Sequence, residues 1–168
     1  KVGFAEIEDE DLKAEQERLF NPLLNHTHKK DGINHYDMEV RMQKIMEEYA
    51  GGAATFYEVN EERLQVARRR LSTMPDQFQY LIAEDLHELM KAHEVIDRVY
   101  VAQVLVEHMM YRKETRWPGY CTRTDYTERD DDNWLKFVNS RRDPATGNIE
   151  MFTRPYEQIV PGDRYKPR

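Results

Sequence analysis

Apolar residues recur at helical spacing through the first two thirds of the chain. In one such stretch the apolar positions are four, three and four residues apart, which places Met38, Met42, Ile45 and Tyr49 on one face. Asp37 is a suitable N-cap, and Gly51 suits the left-handed position that follows a helix end. We therefore predict a helix over residues 37–50 and interpret its methionine stripe as core rather than as a cofactor site.

A second apolar stripe continues straight across Pro75. It follows Asn60, a suitable N-cap, and keeps a period of about 3.5 residues; its members are Leu64, Ala67, Leu71, Met74, Phe78 and Leu81. Proline interrupts a helix or begins a new one, so we expect a kink or a short jog at Pro75. We interpret the basic run Arg68-Arg69-Arg70 as a solvated outer face, with partner binding as the alternative.

The longest helical pattern covers residues 86–115. Between Val95 and Val106 only three residues are polar, so the apolar surface runs nearly all round. Such a helix is expected to be covered on several sides and to form the centre of the domain. His87, His93 and His108 lie on it, and we expect them to be packed or partly buried with hydrogen-bond partners.

Shorter signals complete the fold prediction. We expect a first helix over residues 9–24, ended or kinked at Asn21-Pro22, and then a polar loop over residues 26–32. Residues 116–134 read as a loop rich in arginine, aromatic and acidic residues. Residues 134–140 and 148–154 read as a β-hairpin around an Asp143-Pro144-Ala145-Thr146-Gly147 turn, and the tail over residues 155–168 reads as extended.

These elements predict a mainly α fold: a bundle of three to five helices with a C-terminal β-hairpin and an extended tail. The helical bundle and the loop take up residues 1–133, and the hairpin and tail take up residues 134–168 of the same domain. The 168 residues suffice for one such domain with a core.

Composition narrows the functional classes. The net charge is −7, with 34% of residues charged, which argues against general nucleic-acid binding. No apolar run is long enough to span a membrane, and the N-terminus lacks a signal-peptide core, so we expect a cytoplasmic protein. The single cysteine, Cys121, excludes a disulfide framework and a cysteine-rich metal cluster.

The residues alone predict no catalytic, cofactor-binding or metal site. His26, His28 and His35 are a conceivable metal set, but without a carboxylate or thiolate at ligand spacing we interpret them as exposed loop histidines. Arg123 would favour a lowered pKa for the Cys121 thiol. With no histidine partner, a small near-surface residue is the simpler interpretation of Cys121.

Several motifs carry a family resemblance that covers residues 36–156. Residues 42–52, 85–90 and 112–120, and the turn over residues 139–147, resemble the C-terminal part of the α subunit of dissimilatory adenylylsulfate reductases. Residues 123–136 are similar to the Arg-Glu-Asp…Arg-Asp-Asp…Trp-x-Lys segment of succinate dehydrogenase and fumarate reductase flavoproteins. The run Arg116-Trp117-Pro118-Gly119-Tyr120 distinguishes the sulfur enzyme.

The resemblance implies a larger redox enzyme. Its parent subunit would bind FAD, mainly outside this segment, and would reduce adenylylsulfate to AMP and sulfite or run in reverse. Electrons would come from an iron–sulfur β subunit, and this segment would support the flavin domain and border that subunit. Two alternatives stay open: the equivalent domain of another fumarate reductase-type flavoprotein, such as succinate dehydrogenase or aspartate oxidase, and a helical interaction module without a redox role.

We predict that the loop contacts the flavin domain or the β subunit. Arginine pairs bidentately with carboxylates, and tryptophan anchors protein contacts. The predicted interface residues are Arg116, Trp117, Tyr120, Arg123, Arg129 and Trp134. The alternative is that these side chains only close the core of their own domain.

Overall fold

A computed structural model describes residues 7–28 and 31–157. The described helices are α1 (Asp9–His28), α2 (His35–Tyr49), α3 (Glu61–Ser72), α4 (Leu86–Tyr111) and α5 (Asp131–Trp134). The described strands are β1 (Glu58–Val59), β2 (Thr122–Arg123), β3 (Lys136–Arg142) and β4 (Ile149–Pro155). The prediction of a mainly α fold with a C-terminal hairpin is confirmed, while the predicted tail lies outside the described residues from position 158 onward.

Two compact units divide the chain. One comprises the described residues up to Lys44 together with Arg70–Val101, and the other comprises Ile45–Arg69 together with the described residues from Ala102 onward. Three helices, α2, α3 and α4, each contribute residues to both units. The loop with the predicted interface residues belongs wholly to the second unit.

Helix α1 passes through Pro22 and ends only at His28, so the predicted polar loop from residue 26 began too early. Tertiary hydrogen bonds hold this second half of the helix. The Pro22 carbonyl accepts from the Ala83 N–H at 2.9 Å. The buried Asn25 amide donates to the carbonyls of Gln79 and Leu81, at 2.8 and 2.9 Å. These tertiary hydrogen bonds stabilise the helix after Pro22, although a proline inside a helix removes one of its backbone hydrogen bonds.

The cap of α2 is Asn34 rather than the predicted Asp37. The Asn34 Oδ1 accepts from the Asp37 backbone N–H at 2.8 Å, which places Asp37 in the first turn. Met38 and Met42 are buried, as predicted for a core stripe, whereas Ile45 and Tyr49 are half-buried. Gly51 has φ +79°, which confirms the predicted left-handed residue after the helix.

Helix α3 has the predicted N-cap, since the Asn60 Oδ1 accepts from the Arg63 N–H at 2.9 Å. It ends at Ser72, and a 3-10 segment begins at Pro75. Proline is tolerated at this first position because an N–H there would have no partner within the helix. The expected jog at Pro75 is therefore a break and a restart. The basic run Arg68-Arg69-Arg70 is exposed, and Arg68 pairs with Glu107 at 2.6 Å.

Full burial along helix α4 follows one stripe, Ile96, Tyr100 and Val104 beside it are half-buried, and one side is exposed. The predicted cover therefore holds for part of the helix circumference only, within the described residues. The buried stripe consists of Leu89, Ala92, Val95, Val99, Ala102 and Val106, whereas Val101 and Leu105 are largely exposed. His93 reaches the Leu19 carbonyl and His108 reaches the Ser140 hydroxyl, both at 2.9 Å, as expected for packed histidines. His87 differs, because its side chain is exposed.

Two small sheets lie in the second unit. Strands β1 and β2 are parallel, with Glu58 opposite Thr122. Strands β3 and β4 form the predicted antiparallel hairpin, with Ser140 opposite Met151. The hairpin begins two residues later than predicted because Trp134 closes α5, a turn capped by the Asp130 carboxylate.

Within the described residues no helix is long and apolar enough to cross a membrane. Over the same residues no group of three or more histidine, cysteine, aspartate or glutamate side chains is arranged to hold a metal ion. His26 lies exposed on α1, and His35 begins α2. The expectation that both are loop histidines is therefore wrong.

Candidate functional site

The loop after α4 begins where Glu114 turns inward. Its carboxylate has no exposed side-chain surface and accepts from Arg116 Nε at 2.7 Å and Arg116 Nη2 at 2.9 Å. It also accepts from the Asp130 backbone N–H at 3.0 Å and from an Arg112 guanidinium nitrogen. These bonds explain why α4 ends at Tyr111 and not at the predicted Thr115, since a helix would hold Glu114 away from its partners.

Four hydrogen bonds keep Glu114 ionised inside the protein. Burial opposes its charge and is the largest single influence on its pKa. The bonds from Arg116, the Asp130 N–H and Arg112 together outweigh burial and lower the pKa of Glu114 below its ordinary value of 4.5. The carboxylate is therefore a fixed negative centre around which the two arginines are ordered.

This lowered pKa predicts acid sensitivity. A carboxylate whose folded pKa is depressed stabilises the fold fully above its unfolded pKa, and that contribution is lost as pH falls through the folded pKa. We expect the free energy of unfolding, measured by urea denaturation, to decline as pH drops below 4.5, the ordinary pKa of Glu114. The Glu114→Gln variant should decline less steeply over the same pH range, and parallel declines would contradict this assignment.

Arg123 lies at the centre of the loop and is 2% exposed. Its guanidinium grips the Asp125 carboxylate with two bonds of 2.8 and 2.7 Å and donates to Glu61 at 3.1 Å. The remaining nitrogen donates to the carbonyl of Met109 at 2.6 Å and, more weakly, to that of Arg112 at 3.4 Å. The guanidinium thus ties the loop to the end of α4 and to the start of α3.

Thr115 fastens the loop from the other side. Its N–H donates to the Glu128 carbonyl at 3.0 Å, and its hydroxyl donates to the Tyr126 carbonyl at 2.8 Å. The same hydroxyl accepts from the Arg123 N–H at 2.9 Å. Glu114, Thr115 and Arg123 are all buried, and their hydrogen bonds together fix the conformation of the loop after α4.

The structure separates the six predicted interface residues into three sets. Arg116 and Arg123 face inward to their carboxylate partners. Trp134 meets Tyr111 edge-on at 5.8 Å between centroids, and Arg129 pairs with Asp131 at the surface. Only Trp117 and Tyr120 direct most of their surface to solvent. Contact with a partner stays a prediction for the set, and within the chain four of its members already have packing or ionic roles.

Sequence reasoning missed three acidic residues of this site: Glu61, Glu114 and Asp125. A signal for Glu114 is present, because it lies two residues from both Arg112 and Arg116. Asp125 has the same spacing from Arg123. Glu61 offers no local signal, since 62 positions separate it from its arginine.

Two ionic clusters result: Glu114 with Arg112 and Arg116, and Arg123 with Asp125 and Glu61. A cavity of about 240 Å³ adjoins both clusters, and its lining includes His108, Arg112, Cys121 and Val138. Burial raises the pKa of the Cys121 thiol, and nearby Arg123 only partly opposes that rise. A lowered pKa for Cys121, the alternative considered from sequence, is therefore not favoured, and the half-buried thiol fits the preferred interpretation of a small near-surface residue. Burial, assisted by the charge of Arg112, lowers the pKa of His108. The described groups around this cavity are thus held neutral or paired, which suits a structural role.

The backbone before β1 is strained. Phe56 and Tyr57 have φ of +54° and +60°, a left-handed conformation that bulky residues rarely adopt. The Gly52 carbonyl holds the turn by accepting from the N–H groups of Thr55 and Tyr57, both at 3.1 Å. Phe56 is largely exposed, so no core packing requires this conformation.

The strain can be measured by substitution. Phe56→Gly should raise the free energy of unfolding by about 1 kcal/mol, because glycine adopts positive φ without the penalty while losing more chain entropy. Phe56→Ala keeps the penalty and should leave stability nearly unchanged. Urea denaturation of both variants compares them, and equal stabilities would argue against strain at this position.

Comparison with known proteins identifies similar chains. The family profile described as the fumarate reductase flavoprotein C-terminus matches residues 39–166. The adenylylsulfate reductase subunit alpha of Megalodesulfovibrio gigas is 35% identical over 124 residues, which cover 74% of this chain and 19% of that protein.

Solved structures of adenylylsulfate reductases are also similar to this chain, and the similarity covers more of it. Adenylylsulfate reductase from Archaeoglobus fulgidus superposes with a TM-score of 0.88 and 39% identity, covering 94% of this chain and 26% of that one. An adenosine-5-phosphosulfate reductase with a covalent sulfite adduct gives 0.87 and 38%, with the same coverage of 94% and 26%. The E. coli quinol fumarate reductase shares the fold, with a TM-score of 0.68 and 24% identity over 94% of this chain and 27% of that one. The chain thus spans about a quarter or less of these proteins.

Proposed function

The chain belongs to the fumarate reductase flavoprotein C-terminal family, and on that premise we propose that it is the C-terminal helical domain of the FAD-containing α subunit of an adenylylsulfate reductase. The observation that carries this choice is similarity to adenylylsulfate reductases over nearly the whole chain. Similarity to the quinol fumarate reductase extends to the fold alone.

The reaction we propose for the whole enzyme is the two-electron reduction of adenylylsulfate to AMP and sulfite, or its reverse. One relative holds sulfite as a covalent adduct, which fits this substrate class. FAD would supply the two-electron chemistry when bound. We assign no catalytic residue to this chain.

The Gly51-Gly52 pair does not form the phosphate cradle of a flavin site. A pyrophosphate cradle needs glycines between a strand and a following helix. Gly51 and Gly52 instead follow helix α2, and side chains of Val59 and Glu47 occupy the space that their Cβ atoms would take. We therefore propose that FAD binds mainly to the part of the subunit outside these 168 residues.

The role we propose for this domain is to support the flavin domain and to contact an iron–sulfur β subunit. Trp117 and Tyr120 would be the outermost contact residues, because their side chains are exposed. Arg116, Arg123, Arg129 and Trp134 would serve the interface by holding the loop beneath them in one conformation. We propose a cytoplasmic location and partners other than nucleic acid, in keeping with the net charge of −7.

Intact mass and visible absorption of the protein purified from its native source test this proposal. A subunit several times heavier than 20.2 kDa, with flavin bands and a broad iron–sulfur shoulder, is the expected result. A colourless protein near 20.2 kDa would contradict it and favour a helical interaction module.

A further inference from the structure

Four exposed aromatic side chains lie on two adjoining segments and serve neither ionic cluster. Phe56 is 81% exposed and Tyr57 44%, while Trp117 is 69% and Tyr120 80% exposed. We call these four residues the aromatic patch. Phe56 and Tyr57 precede β1, and Trp117 and Tyr120 precede β2.

The pairing of the strands brings these two segments together. Glu58 lies opposite Thr122 in the parallel register, and the Thr122 N–H donates to the Tyr57 carbonyl at 2.9 Å. Both aromatic pairs therefore lie at the amino end of the same two-stranded sheet. Glu58 and Thr122, which are 64 positions apart in sequence, are paired here by two strands that are each only two residues long.

Both segments of the aromatic patch contain residues with positive φ. Phe56 and Tyr57 are in the left-handed region, and Gly119 has φ +84° with no atom within 4 Å of the position of a Cβ. The turn over residues 117–121 is closed by bonds from the Tyr120 and Cys121 N–H groups to the Trp117 carbonyl, at 3.1 and 3.0 Å. Phe56 ends the 3-10 turn Ala53–Thr55 in the left-handed conformation, and its N–H donates to the Ala53 carbonyl at 3.0 Å.

We propose that the aromatic patch is the docking surface for the remainder of the same flavoprotein polypeptide, the part that lies outside these 168 residues. This inference rests on the proposed function, since it requires a longer subunit. The relatives supply the reason to expect one, because this chain spans 19% and 26% of their lengths. Tyrosine and tryptophan are the side chains that most often anchor protein interfaces.

The area of the patch decides between possible occupants. An aromatic side chain buries about 150–250 Å², so the four partly exposed rings offer roughly 500 Å². A stable interface between separate chains buries about 800 Å² on each partner, which is more than the patch provides. A covalently attached segment needs less area, because the tether supplies a high effective concentration. The size of the patch therefore favours the same polypeptide over a second copy or a separate subunit.

Hydroxyl-radical footprinting of the full-length subunit tests the inference. Oxidation of Phe56, Trp117 and Tyr120 should be at least tenfold slower in the folded subunit than in the same subunit unfolded in urea. That protection should be present without any partner subunit and should not depend on protein concentration. Trp134, the second of the two tryptophans in the chain, is half-buried and serves as the internal reference.

A variant makes the test specific. Phe56→Ser combined with Tyr120→Ser should increase oxidation of Trp117 several-fold in the full-length subunit, because the docked segment loses two of its contacts. Tyr36→Ser, at another exposed tyrosine, is the matched control and should leave Trp117 protected.

The other outcomes overturn the inference in distinguishable ways. Full reactivity of the patch in a heavy, flavin-containing subunit would sink the docking surface and leave the proposed function standing. Protection only in the presence of the iron–sulfur subunit, or only at high concentration, would assign the patch to that subunit or to a second copy. A native protein of this chain's own mass would overturn both proposals.

Discussion

Arg123→Met is expected to lower the free energy of unfolding by about 3 kcal/mol, the lower end of the range for breaking a buried ion pair. The substitution leaves Asp125 and Glu61 without their cation and leaves the Met109 carbonyl without its 2.6 Å donor. The loss stays at the lower end because both carboxylates retain some access to water. Urea denaturation of the purified protein measures the effect.

Two further variants define the origin of that loss. Arg123→Lys should recover only a small part of the stability, because an ammonium group cannot grip Asp125 with two parallel bonds while reaching the Met109 carbonyl. Arg129→Met removes an exposed arginine that pairs with exposed Asp131, and it should change stability little. Equal effects at Arg123 and Arg129 would show that burial of the guanidinium does not matter.

Glu114→Gln is the second substitution with a large expected effect, a loss of about 2–3 kcal/mol. Glutamine fills the same space, so no cavity forms, but one oxygen becomes an NH₂ group that faces the Arg112 and Arg116 donors. The matched control is Glu150→Gln, which removes the charge from an exposed pair with Arg141 and should have a small effect.

Loss of the Glu114 charge should also loosen the loop. Hydrogen exchange at the Asp130 N–H, which donates to the Glu114 carboxylate at 3.0 Å, is expected to accelerate in Glu114→Gln. The Thr55 N–H, which donates to the Gly52 carbonyl of a separate turn, should keep its exchange rate. A uniform acceleration at both amides would indicate global destabilisation and not release of the loop.

The parts of the fold that depend on neighbouring residues could be predicted from sequence. Asn60 as a cap, Gly51 in the left-handed region and Pro75 at the start of a segment each follow from backbone geometry within a turn. The N-cap of α2 shows the limit of such signals. Asn34 and Asp37 are both good caps three residues apart, and only the folded chain shows that Asn34 accepts the bond.

The candidate site was predictable only in part, because its bonds join distant positions. The loop rich in arginine and tryptophan was predicted over residues 116–134, but it starts after Tyr111, where α4 ends, and it includes strand β2 and helix α5. Arg123 pairs with Glu61 across 62 residues, and no local pattern reports that contact. The exposed side of α4 was missed for a related reason. Val101 and Leu105 read as core residues, yet the described chain leaves them open. Apolar periodicity reports which faces avoid water but not which partner covers them.

Cys121 shows how burial reverses an inference from neighbours. Proximity to Arg123 suggests a stabilised thiolate, but the arginine charge is already used by Asp125 and Glu61. Burial then dominates and raises the pKa of the thiol. The effect of an arginine on the pKa of a neighbouring thiol depends on the other charges that the arginine pairs with, and the folded structure shows those partners.

The central claim, that this domain belongs to an adenylylsulfate reductase, is tested most directly by one activity measurement on the native full-length enzyme. Reduction of an artificial one-electron acceptor such as ferricyanide is followed with sulfite, with AMP, with both, and with succinate. We predict acceptor reduction only when sulfite and AMP are present together, because the proposed reverse reaction joins the two into adenylylsulfate. Acceptor reduction with succinate, and none with sulfite plus AMP, would contradict the claim and assign the domain to a succinate- or fumarate-converting flavoprotein.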